Sequence, residues 1–549
     1  MNTPKGKTNN SSHPCVVTID HNSKPRVLFS GNQLVEVDLP VGTRVIYPKP
    51  PMEPLPDVDA AIRHAINHPE GGEPLYAKLK PGMKVTIALD DISLPLPQMQ
   101  RPDVRQRILD IILPLLADHG VEDIHIIVAT CLHRPMTESE IRRMVGNKVM
   151  SAFWPDRLYN HDAEKPGGLT ELGRTEAGEL VEISTRAATS DLLIYLNVNF
   201  VPMDGGHKSV AVGLCGYRSL RHHHNPETIR QSKTYMDPED SELDTRVQRM
   251  GRLVDEHLDV FHVETSLNNR MFAPALDFLA KNEDELTPAE EIGLKALVKT
   301  LSLLPSKARQ AIFEKVPAPY GVTGVFAGTT EAAHAPTLEK CYQQYLVPVE
   351  GQADILVTGV PYISPYNVGS FLNPLLVSVL IQGYLFNLFR GKPLVRKGGT
   401  VIAFHPCSDD FDRDQHLSYV EFFHKVLPKT RDAAEIHKTY ENEFRQNPAY
   451  IQLYRSGTAY HPAHPFYMWY WGENGRQHIG RVIIVGADNE YVPEILGYET
   501  ASTFAEALRM AKETSPPEPD ISCLHICPVL MADVTDRPEP LRLVDGGAS

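Results

Sequence analysis

The sequence has little of several features that mark special classes of protein. Its seven cysteines are an odd number scattered over 549 residues, so no disulfide framework is expected. No apolar run reaches the length of a bilayer-spanning helix, and the nearest one, "PLLVSVLIQGYLFNLF", is interrupted by polar residues and glycine. The start, "MNTPKGKTNNSSHPCVV", lacks the apolar centre of a signal peptide. We therefore predict a soluble, cytoplasmic protein with no membrane partner.

Basic residues are not in excess either. The chain has 54 Lys and Arg against 69 Asp and Glu, which gives a formal net charge of −15. Nucleic-acid-binding surfaces usually carry a basic excess, so no nucleic-acid partner is expected. The length and the 42% hydrophobic content are those of a globular chain of roughly two to four domains, and we find no internal repeat.

Short β-rich runs alternate with helical patterns along most of the chain. "KVTIALDD" and "DIHIIVAT" are typical of strands, and "RQRILDIILPLLADHG" between them has helical spacing. A second series, with "ADILVTGV", "KGGTVIAFHP" and "RVIIVGAD", begins near Gly321. Such alternation predicts parallel sheets with ligand sites beyond the carboxyl ends of the strands. The predicted fold class is α/β, with two α/β domains of mostly parallel sheets, a cleft between them and a helical insertion.

The same pattern gives domain boundaries. We expect a disordered N-terminal tail over residues 1–25, an N-terminal α/β domain over 26–272 and a helical insertion or hinge over 273–320. A C-terminal α/β domain is expected over 321–515. Residues 516–549 form a C-terminal segment with a candidate strand that returns to the N-terminal domain, followed by a tail.

Polar residues follow two predicted strands of the N-terminal domain. In "DDISLPLP", Asp90, Asp91 and Ser93 could hold a sugar hydroxyl or a phosphate, or could simply satisfy turn amides. The next strand leads to His133 and Arg134, just ahead of a T-x-x-E capping box. An imidazole at this position could act as a general base, because its pKa lies near neutrality.

A glycine-rich loop follows the strand "LLIYLNVNFVP". In "MDGGHKSVAVGLCG", Gly205 and Gly206 permit close approach to a ligand, and Lys208 could contribute a charge or a covalent link. The spacing fits neither common phosphate-binding pattern. Three histidines follow at 222–224, and since successive helical residues point about 100° apart, they cannot all bind one metal. A polar surface is the alternative interpretation of that run.

Three further clusters have two interpretations each. "CLHIC" at 523–527 could hold a metal, but plain strand packing is favoured because this spacing alone closes no tetrahedral site. "HPCSDDFDRDQH" could bind a divalent ion or form a solvated loop. The aromatic stretch "YHPAHPFYMWYW" could cover a pocket or pack in the interior, and packing is favoured.

The serial order of these motifs resembles the lactate racemase family, the nickel-pincer-nucleotide enzymes. The resemblance runs from about Leu39 to Lys512 and includes "LPVGTRV", "ALDDISLPLP", "ATCLHRPMTESEI", "GGHKSVAVGLCG…HHHN", "VFAGTTEAAH" and "ADILVTGVPY". It implies an isomerase whose N-terminal domain binds pyridinium-3,5-bisthiocarboxylic acid mononucleotide nickel, linked covalently through a lysine. It also implies cofactor-biosynthesis proteins as partners.

The resemblance assigns a role to each candidate residue. Lys208 corresponds to the lysine that carries the cofactor, and His224 corresponds to the histidine that coordinates nickel. His133 matches a catalytic base, with Arg134 beside it. The expected cofactor contacts are Asp90, Asp91, Ser93, Gly205 and Gly206. In the family's reaction a histidine takes the hydroxyl proton of a 2-hydroxy acid while hydride passes to the cofactor ring, and hydride return to the opposite face inverts the carbon.

Several departures from the family pattern limit the expected substrate. Leu94 replaces an arginine, Cys131 a glycine, and Met203 the second catalytic histidine, for which His207 is the candidate substitute. The segment "GVPYISPYNVGSFLNPLLV" lacks the Gln and Lys that the family offers to the substrate carboxylate. Lactate is therefore not the expected substrate, and a larger or more neutral hydroxy compound is favoured.

These observations lead to one functional hypothesis and two alternatives. We expect a racemase or epimerase that acts on a small-molecule 2-hydroxy acid other than lactate by proton-coupled hydride transfer. One alternative is a one-base redox enzyme that acts on a hydroxy compound with the same cofactor. The other is a catalytically silent nucleotide-binding homologue. The sequence gives no indication of the oligomeric state.

Overall fold

The structure is a computed structural model and describes residues 13–537. The predicted tails at 1–12 and 538–549 lie outside the described residues. The strands are β1 (Val16–Thr18), β2 (Arg26–Gly31), β3 (Gln33–Val37), β4 (Arg44–Ile46), β5 (Lys84–Asp90), β6 (Asp123–Ala129), β7 (Leu158–Asn160), β8 (Leu169–Arg174), β9 (Leu180–Ser184), β10 (Leu192–Asn199), β11 (Val260–Leu267), β12 (Val322–Gly328), β13 (Leu346–Glu350), β14 (Ala353–Pro361), β15 (Phe389–Gly391), β16 (Val395–Phe404), β17 (Arg481–Val485), β18 (Glu499–Ala501), β19 (Ile521–Leu524) and β20 (Met531–Thr535).

Helices connect and cover these strands. They are α1 (Val58–Asn67), α2 (Leu75–Lys78), α3 (Val104–Asp118), α4 (Glu138–Phe153), α5 (Thr185–Ala188), α6 (Lys208–Gly213), α7 (Tyr217–Leu220), α8 (Pro226–Gln231), α9 (Glu242–His257), α10 (Pro288–Leu303), α11 (Ser306–Lys315), α12 (Thr330–Tyr345), α13 (Pro374–Ser378), α14 (Leu417–Glu421), α15 (Ala433–Thr439), α16 (Glu441–Arg445), α17 (Pro448–Ser456), α18 (His464–Trp471), α19 (Glu473–His478), α20 (Tyr491–Leu496) and α21 (Phe504–Lys512). Within residues 13–537, no helix is both long enough and apolar enough to span a bilayer.

The first sheet has six strands in the order β12-β11-β10-β5-β6-β7. All neighbours are parallel except β12, which runs antiparallel to β11. Every residue of β10 and β11 is buried, as expected for parallel strands covered on both faces. The parallel sheets of an α/β fold, predicted from the alternating runs, are confirmed.

The second sheet has nine strands. Its main path is β1-β4-β19-β14-β16-β17-β18, with β2 paired to β14 and β3 paired to β2. The pairs along β4-β19-β14-β16-β17-β18 are parallel, and β1 and β3 are antiparallel to their partners. Residues Ile355, Val357, Ile402 and Ile483 are fully buried in its core. Smaller sheets are formed by β13-β20-β15 and by β8-β9.

Several strands pair with partners that the sequence did not suggest. Residues 26–46 belong to the second sheet, whereas Val322–Gly328 belongs to the first. The C-terminal strand Ile521–Leu524 lies between β4 and β14 in the second sheet. Residues 13–25 were expected to be disordered, yet Val16–Thr18 pairs with β4, and Cys15 is buried. The composition of a strand does not indicate which strand it pairs with, and this explains why the observed pairing differs from the expected one. The division into domains remains a prediction.

Candidate functional site

A cavity of about 250 Å³ lies where strand ends of the two sheets face each other. Its walls come from the loops after β5, β6 and β10 of the first sheet, from the loop after β14 of the second, and from α18. The structure brings most of the residues singled out in the sequence into this cavity: Asp90, Asp91, Ser93, His133, Gly205, Lys208 and His224. These residues come from loops far apart in the chain, and parallel strands put them together because their carboxyl ends share one edge.

His133 forms a hydrogen-bonded pair with Asp91. Its Nδ1 lies 2.7 Å from Asp91 Oδ2, and Asp91 also accepts bonds from the backbone N–H and the hydroxyl of Ser93. Burial acts to raise the pKa of Asp91, but the positive charge that His133 carries when protonated, together with the hydrogen bonds from His133 and Ser93, keeps the pKa of Asp91 below the ordinary value, so Asp91 is an anionic acceptor. We therefore assign the Nδ1 proton as the one donated to the carboxylate, which leaves Nε2 with its lone pair. This is the arrangement of an oriented general base.

Lys208 begins α6 and reaches the cavity. Its Nζ donates to the carbonyl oxygen of Met203 at 3.0 Å and lies 3.7 Å from Asp204 Oδ1. Burial raises the pKa of Asp204, which weakens it as a partner for the ammonium group. Among the described residues that line the cavity, Lys208 is the only lysine or arginine.

His224 is the member of the histidine run that lines the cavity. Its Nδ1 lies 2.6 Å from Nδ1 of His223, and its ring stacks on Trp471 with a centroid separation of 5.3 Å. Burial, together with the charges of His223 and Lys208, lowers the pKa of His224 well below the ordinary value. The imidazole is therefore neutral, which is the form that binds metals. His223 is fully buried, and His222 does not line the cavity.

Gly205 and Gly206 form a tight turn beside the cavity, and their expected contact with a cofactor stays a prediction. Gly205 and Gly206 have φ of 86° and 58°, in the region that favours glycine. A Cβ at Gly205 would lie 2.2 Å from Asn199 Oδ1, and one at Gly206 would lie 2.9 Å from the His334 ring. Gly206 does not line the cavity. The turn and the close packing of neighbouring side chains explain both glycines, so neither forms an open cradle for a ring.

His207 and Arg134 do not line the cavity, and the catalytic roles expected for them stay predictions. His207 packs against α9, with its Nε2 3.2 Å from Glu331 Oε1 and its Nδ1 3.6 Å from Asp255 Oδ2. Arg134 is buried, pairs with Glu140 at 2.7 Å and donates to the carbonyl oxygen of Val368. Both side chains therefore bond to protein groups outside the cavity.

The aromatic stretch contributes to both packing and the cavity wall. Every residue of α18 is buried, and His464, Tyr467, Met468 and Trp471 also line the cavity. These four positions follow the i, i+3, i+4, i+7 spacing of one helix face, a signal that the sequence analysis did not use. The His464 ring is 5.4 Å from the His133 ring, and burial lowers the pKa of His464 well below the ordinary value. The cavity-lining Tyr366 and Tyr384, whose hydroxyls are 2.7 Å apart, were also missed.

The other histidine and cysteine clusters form no metal site in the described part of the chain. Cys523 is buried in β19, His525 bonds to Glu283 at 3.1 Å, and Cys527 lines the cavity. The loop "HPCSDDFDRDQH" buries its two histidines. Across residues 13–537 there is no group of three or more His, Cys, Asp or Glu residues placed to hold a metal ion.

Comparisons with known proteins find similarity to lactate racemases. Residues 30–237 match the model of the lactate racemase N-terminal domain. The chain is 24% identical over 176 residues to the lactate racemase of Lactiplantibacillus plantarum, a match that spans 31% of this chain and only 39% of that protein.

Solved structures share the fold. The lactate racemase apoprotein from Thermoanaerobacterium thermosaccharolyticum superposes with a TM-score of 0.60 at 17% identity and covers 94% of this chain and all of the other. A structural-genomics protein from Thermotoga maritima gives a TM-score of 0.51 at 12% identity over 89% of this chain and 100% of its own. At these identities the likeness establishes the fold.

Proposed function

This chain is a divergent member of the lactate racemase family, and on that premise we propose that it is a racemase or epimerase of a 2-hydroxy acid other than lactate. The observation that carries the proposal is the meeting of Lys208, His224 and His133 in one cavity, from three separate loops. Each has the chemistry that the family's reaction needs: an amine, a neutral imidazole and an oriented base.

The residues present fit a lysine-linked nickel-pincer nucleotide. The Lys208 amine can carry the covalent link, and the His224 imidazole is a ligand that suits nickel. A single protein ligand is enough for a cofactor that brings its own sulfur donors. When bound, such a cofactor supplies the acceptor and donor of hydride for the carbinol carbon.

The proton is handled by the protein. In the proposed reaction Nε2 of His133 receives the hydroxyl proton, and Asp91 stabilises the imidazolium that forms. Burial raises the pKa of Asp90, at the edge of the same cavity, to about 7. This carboxyl is therefore partly neutral at physiological pH, which lowers its repulsion of an anionic substrate.

The walls favour a substrate with an apolar substituent. Leu94 and Met203 stand where the family has polar residues, and Ile363 lies in the loop where the family binds the substrate carboxylate. Trp471 and Tyr467 add aromatic surface. Since Lys208 would be used by the cofactor link, no second lysine or arginine of the described lining is left to hold a carboxylate.

The test is to produce the protein together with cofactor-biosynthesis proteins and to combine intact-mass measurement, nickel analysis and chiral chromatography of a 2-hydroxy acid panel. We expect a nucleotide adduct with stoichiometric nickel, and loss of the adduct in Lys208→Ala. The matched control is Lys233→Ala, because the Lys233 side chain is 71% exposed and pairs with Asp240 at the surface. His133→Ala should keep adduct and nickel but slow turnover by at least about 10²-fold.

Each other result rejects a specific part of the proposal. An adduct that survives Lys208→Ala overturns the cofactor link. Release of a 2-keto acid without racemisation favours the one-base redox enzyme. A loaded protein that turns over no hydroxy acid of the panel favours the silent nucleotide-binding homologue.

A further inference from the structure

His464, at the start of α18, is a second imidazole beside the proposed base. It is 3% exposed and lines the cavity. Its ring lies 5.4 Å from the His133 ring at an interplanar angle of 79°, and the Tyr366 ring lies 5.1 Å from His464 and 5.4 Å from His133. Two imidazoles at this separation can reach two neighbouring oxygen atoms of one small molecule.

The hydrogen bond of His464 fixes which nitrogen carries its proton. Nδ1 of His464 lies 2.5 Å from the hydroxyl of Tyr419, which is fully buried and has no other hydrogen-bond partner within residues 13–537. A buried hydroxyl proton without an acceptor would be costly, so the hydroxyl donates to Nδ1. A neutral imidazole that accepts at Nδ1 carries its proton at Nε2, and this nitrogen has no protein partner in the described chain.

The two imidazoles of the cavity are thus opposite in character. His133 donates from Nδ1 to Asp91 and presents a lone pair at Nε2, whereas His464 accepts at Nδ1 from Tyr419 and presents an N–H at Nε2. A 2-hydroxy acid has the complementary pair of groups on adjacent carbons: a hydroxyl that must lose a proton and a carboxylate that accepts hydrogen bonds.

Most of the charged groups in the cavity are acidic, so an anionic substrate needs a hydrogen-bond donor there. Apart from histidines, the acidic and basic residues of the described lining are three aspartates and one lysine: Asp90, Asp91, Asp204 and Lys208. On the proposed function, which this inference takes as its premise, the lysine is used by the cofactor. We infer that the Nε2–H of His464 binds the carboxylate of the 2-hydroxy acid while His133 receives the hydroxyl proton. The substrate class is a 2-hydroxy acid with an apolar or aromatic substituent, whose carboxylate is held by a neutral donor.

The test compares four variants of the cofactor-loaded protein. His464→Leu removes the donor, His464→Gln restores an N–H near the position of Nε2, and Tyr419→Phe removes the hydroxyl that fixes the tautomer. His461→Gln is the control, because His461 is a buried imidazole of the same segment that pairs with Glu164 and does not line the cavity.

Binding is followed by the fluorescence of Trp471 in the cavity wall, with three probes. Phenyllactate has both groups, 3-phenylpropanoate lacks the hydroxyl, and 3-phenylpropane-1,2-diol lacks the carboxylate. We expect His464→Leu to weaken both carboxylates by about tenfold and to leave the diol unchanged. His464→Gln should recover most of the loss, Tyr419→Phe should give an intermediate loss, and His461→Gln should bind as the unaltered protein does. For any hydroxy acid that is turned over, His464→Leu should raise KM by a larger factor than it lowers kcat.

A second readout is independent of cofactor and turnover. In protein labelled with ¹⁵N-histidine, the signals missing from His464→Gln identify His464, and their shifts report which nitrogen is protonated. A proton on Nδ1 would overturn the inference, as would equal losses for the diol and the carboxylates, unchanged binding in His464→Leu, or no binding of phenyllactate. If instead only turnover is missing and the binding results are as expected, the proposed function fails while the assignment of His464 to carboxylate binding stands.

Discussion

Cys131 occupies a backbone conformation that suits glycine. Its φ is 49°, in the left-handed region, and it lies two residues before His133. The family that the sequence resembles has glycine there, so the conformation accounts for that preference. Three contacts hold the cysteine: its Sγ lies 3.7 Å from Sγ of Cys215, its backbone N–H donates to the carbonyl oxygen of Gly213 at 3.0 Å, and its carbonyl oxygen accepts from the hydroxyl of Tyr454.

The strain at Cys131 can be measured with a pair of variants. Cys131→Ala and Cys131→Gly both lose the sulfur contact, so the difference in stability between them reports the cost of the backbone conformation alone. We expect Cys131→Gly to be more stable than Cys131→Ala by about 1 kcal/mol in urea denaturation, because only the alanine pays the left-handed penalty. An alanine variant as stable as the glycine variant would contradict a strained loop before the proposed base.

Sequence order was enough to place some site residues but not others. His133, Asp91 and Lys208 follow strands of one parallel sheet, so their meeting could be predicted. The direction of His207 could not, because it depends on where α6 begins and on how closely α9 approaches. His464 could not be predicted because it is distant from His133 in the sequence. The two residues come close together only because the two sheets face each other.

At the scale of elements, strands were predicted more reliably than their partners. The runs "KVTIALDD" and "DIHIIVAT" form β5 and β6, and "RQRILDIILPLLADHG" contains α3. The choice of a partner strand does not depend on local sequence. Buried strands have similar apolar sequences, so nothing in Val322–Gly328 indicates that it pairs with β11 instead of β14. For the same reason, the sequence did not indicate that Ile521–Leu524 lies between β4 and β14.

One carboxylate joins three of these distant elements. Glu283, in the 3₁₀ turn Glu283–Glu285 before α10, accepts from the backbone N–H of Val27 at 2.8 Å and from the hydroxyl of Tyr47 at 2.6 Å. Its carboxylate also lies 3.1 Å from Nε2 of His525 and 3.7 Å from Nε of Arg26. It therefore connects the helical segment with β2 and with the segment after β19.

Replacement of Glu283 should weaken the whole fold. We expect Glu283→Ala to lower the free energy of unfolding by roughly 3 kcal/mol, because it leaves the buried N–H of Val27, the hydroxyl of Tyr47 and the imidazole of His525 without their acceptor. The measurement is urea denaturation followed by circular dichroism. Glu285→Ala, an exposed position in the same turn, is the control and should change stability by less than about 0.5 kcal/mol. Equal losses in the two variants would contradict the anchoring role.

At the scale of the molecule, the α/β architecture explains where the cavity lies. It does not explain how the wall opposite the first sheet is held in place. The loops after β5, β6 and β10 lie at the carboxyl edge of the first sheet, where ligands bind in such folds. The opposite wall is held by hydrogen bonds across the chain. The hydroxyl of Tyr235 donates to the carbonyl oxygen of Trp471 at 2.7 Å, and that of Tyr217 donates to Glu441.

Tyr454 of α17 is hydrogen-bonded to the loop that precedes the proposed base. Its hydroxyl donates to the carbonyl oxygen of Cys131 at 3.0 Å and accepts from the backbone N–H of Ala163 at 3.2 Å. All three residues are buried, so the phenylalanine variant would leave two backbone groups unpaired. Such groups cost about 1–3 kcal/mol each when buried, and the carbonyl group belongs to the loop that positions His133.

We therefore expect Tyr454→Phe to lower both stability and turnover. Its thermal unfolding midpoint should fall by several degrees, and kcat of the cofactor-loaded protein should fall several-fold with little change in adduct or nickel content. The control is Tyr450→Phe on the same helix, whose hydroxyl bonds to Glu421 and not to the first sheet's loops. Because that bond is partly exposed, its loss should affect turnover little. If both variants kept full turnover, the hydroxyl of Tyr454 would not be needed to hold the loop before His133 in position.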